Sequence, residues 1–186
     1  MTLTPRDSGW IEVICGSMFS GKTEELIRRI RRAEIAKMKT LIFKPKIDDR
    51  YSSNHVVSHN QSKLESMLVK NAQEILDNSK NIDVIGIDEA QFFGDDIVNV
   101  CKSLAHNNKR VVVAGLDTDY RGLPFGPMPA LMCEADYLDK FRAICIQCGN
   151  PASCNQRLTQ DLAQVVIGET DIYEARCRNC FKPPEE

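Results

Sequence analysis

The sequence predicts an α/β fold in which a mainly parallel sheet carries helices on both faces. Apolar runs of strand length recur along the chain, at residues 10–15, 40–44, 83–88 and 110–115. Stretches typical of helices lie between them, at residues 22–35, 71–78 and 95–107. The apolar runs are nearly continuous, without polar alternation, which is typical of strands buried on both faces of a parallel sheet.

The first strand and helix flank a glycine-rich stretch. Residues 10–15 (WIEVIC) form an apolar run that stops at Gly16, as a buried strand would. From Lys22 onward the apolar residues recur at spacings near 3.6, and Glu24 and Glu25 fall in the first turn, where they complement the helix dipole. The order is therefore strand, loop and helix.

The later elements continue this alternation. Pro45 ends the second strand, and the polar residues 45–62 indicate a mobile loop. Three prolines between residues 124 and 129 break the chain before a last strand-like stretch at residues 137–144. After about residue 143 the chain becomes irregular and rich in cysteine. We therefore expect a main domain over residues 10–143 and a small domain over residues 144–186.

Length and composition restrict the class of protein. The chain has 186 residues, 42% of them hydrophobic, which is enough for one domain with a core and a small appendage. The net charge of −2 gives no basic excess that would indicate nucleic acid as a partner. No apolar run approaches the ~20 residues of a membrane span, and residues 1–9 lack a signal-peptide pattern. We expect a cytoplasmic protein, not bound to membranes, with a disordered lead over residues 1–9.

Residues 16–23 (GSMFSGKT) fit the pattern G-x-x-x-x-G-K-[ST] at every fixed position. A strand before the pattern and a helix after it are the context that a phosphate-binding P-loop requires, and an ordinary glycine turn is the weaker alternative. Lys22 would reach the β- and γ-phosphates, and the Thr23 hydroxyl would coordinate Mg²⁺. The sequence thus predicts a P-loop NTPase (RecA-like) fold that binds ATP through Gly16, Ser17, Met18, Phe19, Ser20, Gly21, Lys22 and Thr23.

A carboxylate pair closes the buried strand at residues 83–88. Asp88 would hold the metal, and Glu89 could accept a proton, which contributes roughly 10²–10⁴-fold to a rate. The proton could belong to water, as in an ATPase, or to an alcohol, as in a kinase, and a solvated Asp-Glu pair is the non-functional alternative. Ala90 and Gln91 follow at once and are included in the predicted ATP site.

Arginines supply further candidates. Arg50 and Arg121 each lie in a polar loop beside acids, from which an arginine can reach transferring phosphate charge. The run at residues 28–32 (RRIRR) spreads around a helix, so a solvated or subunit-facing surface is favoured over a nucleic-acid patch.

Four of the eight cysteines form a C-x₂-C…C-x₂-C pattern, namely Cys145, Cys148, Cys177 and Cys180. Four thiolates favour tetrahedral Zn²⁺, and a closed four-cysteine site is structural. A redox dithiol would need a cysteine pair that opens a helix, which the residues after Cys148 do not suit. We expect Cys154 to be a free thiol and Cys15, Cys101 and Cys133 to lie in the core.

The segment between the two cysteine pairs, residues 149–176, exceeds the ~15–20 residues of a simple zinc ribbon. Long loops are usually functional or disordered, and this one contains an apolar strip around Val166. We interpret it as a lid over a flat, partly apolar ligand such as a base, with a packing hairpin as the alternative.

These motifs together resemble the cytosolic zinc-containing (type II) thymidine kinases. The motifs GSMFSGKT, DDRYSS, IGIDEAQFF, DTDYRGLPFG and the two CxxC pairs occur in that order between about residues 10 and 181. Animal and poxvirus members carry a phenylalanine where this chain has Tyr120, which favours a bacterial member. The alternatives are a P-loop ATPase with a nucleic-acid-binding zinc ribbon and a non-enzymatic binding module.

The resemblance implies transfer of the γ-phosphate of ATP to the 5′-hydroxyl of thymidine or deoxyuridine in nucleotide salvage. It implies Glu89 as the catalytic base, Mg²⁺ near Thr23 and Asp88, and Asp48 and Arg50 near the phosphates. Residues 149–176 correspond to the family's lasso loop. The implied nucleoside-binding residues are Met18, Phe92, Leu116, Tyr120, Phe125, Val166, Gly168 and Tyr173. A homotetramer and feedback inhibition by dTTP are implied in the same way.

Overall fold

The computed structural model describes residues 8–46, 55–57, 63–159, 163–164 and 172–184. The strands are β1 (Trp10–Gly16), β2 (Thr40–Pro45), β3 (His55–Val57), β4 (Lys63–Val69), β5 (Val84–Ile87), β6 (Arg110–Gly115), β7 (Tyr137–Phe141), β8 (Ala143–Ile144), β9 (Pro151–Ala152), β10 (Cys154–Arg157) and β11 (Tyr173–Arg176). The helices are α1 (Lys22–Ile35), α2 (Gln73–Asn78), α3 (Asp96–His106) and α4 (Met128–Glu134), with a 3-10 turn at Ala90–Phe92.

Seven strands form one sheet in the order β3-β4-β2-β5-β6-β1-β7. Every neighbouring pair is parallel except β3 and β4. Within β1, Ile11, Val13 and Cys15 pack in the core formed with α2, α3 and α4, whereas Ile14 packs with α1 in a second core. The predicted mainly parallel sheet with helices on both faces is therefore confirmed.

Several elements differ from the sequence-based prediction, among them β9, β10 and β11, which lie within residues 149–176, a segment expected to be one long loop. Residues 45–62 were expected to form a loop, but they include β3, and β4 follows directly after them. α4 occupies the stretch where prolines were expected only to break the chain. Pro127 caps this helix and Pro129 lies in its first turn, where a missing N–H breaks no helical hydrogen bond.

A buried ion-pair network holds α1 against the sheet. Glu12 of β1 accepts hydrogen bonds from Arg29 of α1 at 2.7 Å and from Arg110 of β6 at 2.6 Å. Arg29 also pairs with Glu25 and with Asp139 of β7. Burial alone would raise the pKa of Glu12, but Arg110, Trp10 and Arg29 together hold this pKa below its ordinary value. The expected solvated surface is thus wrong for Arg29, whose side chain is only 12% exposed.

The chain leaves the large sheet after Phe141, because β7 pairs with β1 whereas β8 pairs with β9. β8 and β9 form one two-stranded sheet and β10 and β11 another. We call these strands, with the four cysteines at 145, 148, 177 and 180, the cysteine module. Its small core contains Ala143, Ala152 and Ala175 beside two of the cysteines.

The other cysteines divide by burial. Cys15 and Cys101 are buried as expected, but Cys133 on α4 is exposed, so its predicted place in the core is wrong. Among the described residues, no helix combines the length and apolar character needed to cross a membrane.

Candidate active site

Residues 16–23, which we call the glycine loop, comprise the last residue of β1, the turn that follows it and the first two residues of α1. Gly16 and Gly21 have φ values of 139° and 86°, and Phe19 adopts a φ of 62°. A side chain at Gly16 would place its Cβ 2.3 Å from the carbonyl oxygen of Phe141, so only glycine fits there. The loop therefore has the left-handed residues that a tight turn into a helix N-terminus requires.

Lys22, the first residue of α1, folds back over the glycine loop. Its Nζ donates to the carbonyl oxygen of Ser17 at 2.7 Å. Burial lowers the pKa of Lys22, and the carboxylates of Glu89, Asp88 and Asp117 partly oppose this effect. Within the described chain, the hydroxyl of Ser20 is buried and has no hydrogen-bond partner. A cation and an unsatisfied donor thus occupy one loop, which fits an anionic ligand.

The carboxyl end of β5 brings an acid to the same place. Asp88 lies directly after β5, and both of its carboxylate oxygens lie within 3.5 Å of the Thr23 hydroxyl. Burial and the neighbouring charge of Glu89 raise the pKa of Asp88 above its ordinary value. A hydroxyl and a carboxylate are the hard oxygen ligands that Mg²⁺ prefers, so these two residues could hold this ion.

Gln91 links Glu89 to the next strand. Glu89 has a left-handed φ of 53°, and Gln91 donates from Nε2 to Glu89 Oε2 at 2.6 Å. The other side of the same amide accepts a hydrogen bond from the backbone N–H of Leu116, which follows β6, at 2.9 Å. Because Gln91 is buried, it fixes the Glu89 carboxylate relative to the end of β6.

Residues 116–127, between β6 and α4, form what we call the β6–α4 loop. Asp119 shapes it by accepting hydrogen bonds from the backbone N–H groups of Arg121 and Leu123. The Arg121 guanidinium pairs with the same carboxylate at 2.7 Å, so this arginine is held within its own loop. Phe125 packs edge-on against Phe92, with ring centroids 5.5 Å apart.

An arginine of the cysteine module connects two aromatic residues of the predicted nucleoside site. The Arg157 guanidinium lies 3.5 Å from the ring centroid of Tyr120 and donates to the Tyr173 hydroxyl at 2.7 Å. It also donates to the carbonyl oxygens of Ala163 and Gln164. One buried arginine therefore holds the β6–α4 loop, β11 and residues 163–164 together.

The four cysteine sulfurs of the module converge. All lie within 4.8 Å of one another, and the sulfurs of Cys148 and Cys177 are 3.6 Å apart. Tetrahedral Zn²⁺ with bonds near 2.3 Å separates its sulfur ligands by ~3.8 Å, so the donor set fits this metal. Burial raises the pKa of the Cys145 thiol, but backbone N–H groups directed at its sulfur outweigh this effect and lower the pKa overall.

The cysteine module also contacts the glycine loop through three consecutive residues. The Ser17 hydroxyl donates to the carbonyl oxygen of Ala152, and the Met18 backbone N–H donates to Asn155 Oδ1 at 2.7 Å. Phe19 packs against the small core of the module. The glycine loop is therefore fixed by the cysteine module as well as by β1 and α1.

The structure brings the glycine loop, Asp88, Glu89 and Gln91 into one group. Of the predicted nucleoside-binding residues, Leu116 is hydrogen-bonded to Gln91, Phe92 packs against Phe125, and Arg157 contacts both Tyr120 and Tyr173. Asp48, Arg50, Val166 and Gly168 lie outside the described residues.

Sequence reasoning missed the polar residues that connect these parts, above all Asn155, Arg157 and Asp119. Asp119 has a local signal, since an aspartate followed by a glycine turn often caps its own loop. Asn155 and Arg157 have none, because their partners are distant in sequence.

Comparison with known proteins identifies the family of the chain. Residues 9–181 match the family model described as thymidine kinase. The chain is 57% identical over 176 residues to a thymidine kinase of Rhodothermus sp. (strain ITI 518), covering 95% of this chain and 83% of that protein. The chain belongs to the thymidine kinase family. It is also 52% identical over 177 residues to a thymidine kinase of Bacteroides fragilis, covering 95% of this chain and 89% of the relative. The resemblance predicted from the motifs is confirmed, and both of these thymidine kinases come from bacteria.

Proposed function

We propose that this protein transfers the γ-phosphate of ATP to the 5′-hydroxyl of thymidine or deoxyuridine, which produces a nucleoside monophosphate and ADP. The observation that carries the proposal is the link made by Gln91. This buried amide connects Glu89, beside the glycine loop, to Leu116 at the start of the β6–α4 loop. A proton acceptor is therefore fixed between a loop suited to phosphates and a loop that contains aromatic residues.

The glycine loop would hold the triphosphate. Its backbone N–H groups and the N-terminus of α1 favour anionic oxygens, and Lys22 adds a basic side chain. Thr23 and Asp88 would hold Mg²⁺, which supplies charge neutralisation for the phosphate oxygens when bound. The loop residues with Asp88, Glu89, Ala90 and Gln91 would make up the ATP site, and Asp48 and Arg50 would approach the phosphates.

The nucleoside would lie between the predicted aromatic residues and the lasso, to which Tyr173 belongs. Its walls would be Met18, Phe92, Leu116, Tyr120, Phe125 and Tyr173, with the backbone near Val166 and Gly168 at the pyrimidine edge. Phe92 and Phe125 pack together, and Arg157 holds both Tyr120 and Tyr173. These contacts would hold aromatic walls in place for a flat base, with the charged Arg157 guanidinium beside Tyr120.

The chemical step needs one proton acceptor. Gln91 holds Glu89 Oε2, and the other carboxylate oxygen would take the proton of the 5′-hydroxyl as its oxygen attacks the γ-phosphorus. The bond from that phosphorus to the bridging oxygen breaks, and ADP leaves. The cysteine module would carry structural Zn²⁺ at Cys145, Cys148, Cys177 and Cys180.

The first experiment measures ADP release from Mg-ATP with and without thymidine, together with identification of the product. We expect release to depend on thymidine, with thymidine monophosphate as the product. ADP release that does not depend on thymidine would mean that water accepts the phosphoryl group, which would favour an ATPase. A homotetramer, inhibition by dTTP and a cytoplasmic location are further predictions from the family resemblance, open to sedimentation, inhibition assays and fractionation.

A further inference from the structure

Asn155 of β10 joins two loops that the chain places far apart. Its Oδ1 accepts a hydrogen bond from the backbone N–H of Met18 at 2.7 Å. Its Nδ2 donates to the carbonyl oxygen of Thr118 at 2.8 Å. Met18 belongs to the glycine loop and Thr118 to the β6–α4 loop, and each is more than 35 residues away from Asn155 in sequence.

The chemistry of the two contacts requires an amide. One partner is an N–H donor and the other is a carbonyl acceptor, so the side chain must accept at one atom and donate at another. Asn155 is only 2% exposed, so water does not readily replace either contact. Of the similar side chains, aspartate could keep the contact with Met18 but would place a carboxylate oxygen against the Thr118 carbonyl.

Both loops make further contacts close to these two hydrogen bonds. Ser17, next to Met18, donates to the carbonyl oxygen of Ala152 in the same module. Thr118 forms an isolated bridge with Pro124, and Asp119 closes the turn between them. A displacement at Asn155 would therefore be transmitted to both loops through these contacts.

We propose that Asn155 is a positioning residue that sets the spacing between the phosphate donor and the nucleoside acceptor. It touches neither reacting group and acts through Met18 on one side and Thr118 on the other. The inference rests on the proposed function, in which the β6–α4 loop holds the nucleoside. Since transfer needs both substrates in one geometry, the residue controls turnover more than it controls binding of ATP.

The test separates the two contacts of the amide. Asn155→Leu removes both, whereas Asn155→Asp keeps an acceptor for Met18 and loses the donor to Thr118. Gln156→Leu is the matched control, because Gln156 is the next residue of β10 and its amide instead contacts Lys182 in the C-terminal segment. For each purified variant we would measure the KM for ATP, the KM for thymidine, kcat, and ATP hydrolysis without transfer.

For Asn155→Asp we expect an ATP KM close to that of the control and a kcat for transfer lowered by about 10²-fold, the loss typical of a ~1 Å misplacement. Hydrolysis should rise relative to transfer, which a loss of folded protein would not produce. Asn155→Leu should also raise the ATP KM. Transfer by Asn155→Asp at the rate of the control would overturn the proposal, as would a loss in which transfer and hydrolysis fall together.

Phe125→Ala separates this inference from the proposed function. An unchanged thymidine KM in Phe125→Ala would mean that the β6–α4 loop is not part of the nucleoside site. The proposed role of Asn155, which depends on this site, would then be wrong as well. A raised thymidine KM in Phe125→Ala, combined with normal transfer in Asn155→Asp, would overturn the positioning role alone.

Discussion

Gln91 Nε2 lies 2.6 Å from Glu89 Oε2, and this hydrogen bond holds the Glu89 carboxylate. The backbone of Glu89 is in the left-handed region. A non-glycine residue with positive φ is uncommon, and it persists where the surroundings hold it in place. The buried Gln91 side chain fixes the direction of the Glu89 carboxylate beside the glycine loop.

The first prediction concerns Glu89 itself. Glu89→Gln keeps the size of the side chain but removes the proton acceptor, so we expect kcat to fall by about 10² or more while ATP binding is retained. Steady-state kinetics and ATP titration check this. Asp95→Asn, which alters an exposed carboxylate beyond the 3-10 turn, is the control. Near-normal turnover of Glu89→Gln would show that Glu89 is not the catalytic base.

The second prediction concerns Arg157. Lysine in its place would keep the charge but lose the planar group over Tyr120. It would also lose the N–H donors directed at the carbonyl oxygens of Ala163 and Gln164. Cation–π contacts contribute about 1–2 kcal/mol, so we expect Arg157→Lys to raise the thymidine KM by roughly tenfold with little change in the ATP KM. Arg178→Lys, at an exposed position of the same module, should leave both constants unchanged. Equal changes in both KM values would indicate a general loss of structure instead.

The third prediction concerns the metal. Structural zinc in small modules contributes on the order of ten kcal/mol to folding, and the module contacts Ser17, Met18 and Phe19 directly. We therefore expect chelation of the metal, or Cys145→Ser, to weaken ATP binding together with thymidine binding. Metal content, melting temperature and titration of both substrates check this. Cys133→Ser, at an exposed cysteine, is the control, and intact ATP affinity in the metal-free protein would contradict the coupling.

The fourth prediction concerns acid stability. The pKa of Glu12 lies below its ordinary value of 4.5, so the ion-pair network stabilises the fold fully above that pH. Glu12→Gln should lower the free energy of unfolding at neutral pH by about 3 kcal/mol, since it leaves two arginines without their buried partner. The difference from wild type should shrink as the pH falls below 4.5 and Glu12 becomes protonated in the wild type.

Denaturant titrations at several pH values measure this difference. Glu134→Gln breaks an ion pair that is about 40% exposed and should cost little at any pH. A difference between wild type and Glu12→Gln that stays constant down to pH 3 would contradict the assigned role of the Glu12 charge.

The sequence by itself determined the fold class, the glycine loop, the Asp88-Glu89 pair and the four cysteines. Each of these depends on short-range chemistry: the spacing of apolar residues, the glycines that a tight turn needs, or two CxxC pairs with metal-ligand spacing. The prolines before and within α4 were expected to break the chain, and this prediction was wrong. Proline breaks a helix interior but is tolerated in the first turn.

Only the tertiary structure decided how these parts connect. Asn155 meets Met18 across 137 positions of the chain, and Arg29 meets Asp139 across 110. Gln91 belongs to a local sequence motif, yet its partner Leu116 lies in the β6–α4 loop, after another strand. No local pattern encodes such contacts, because they exist only once the sheet has placed the ends of β1, β5 and β6 beside each other and the cysteine module has packed against the glycine loop.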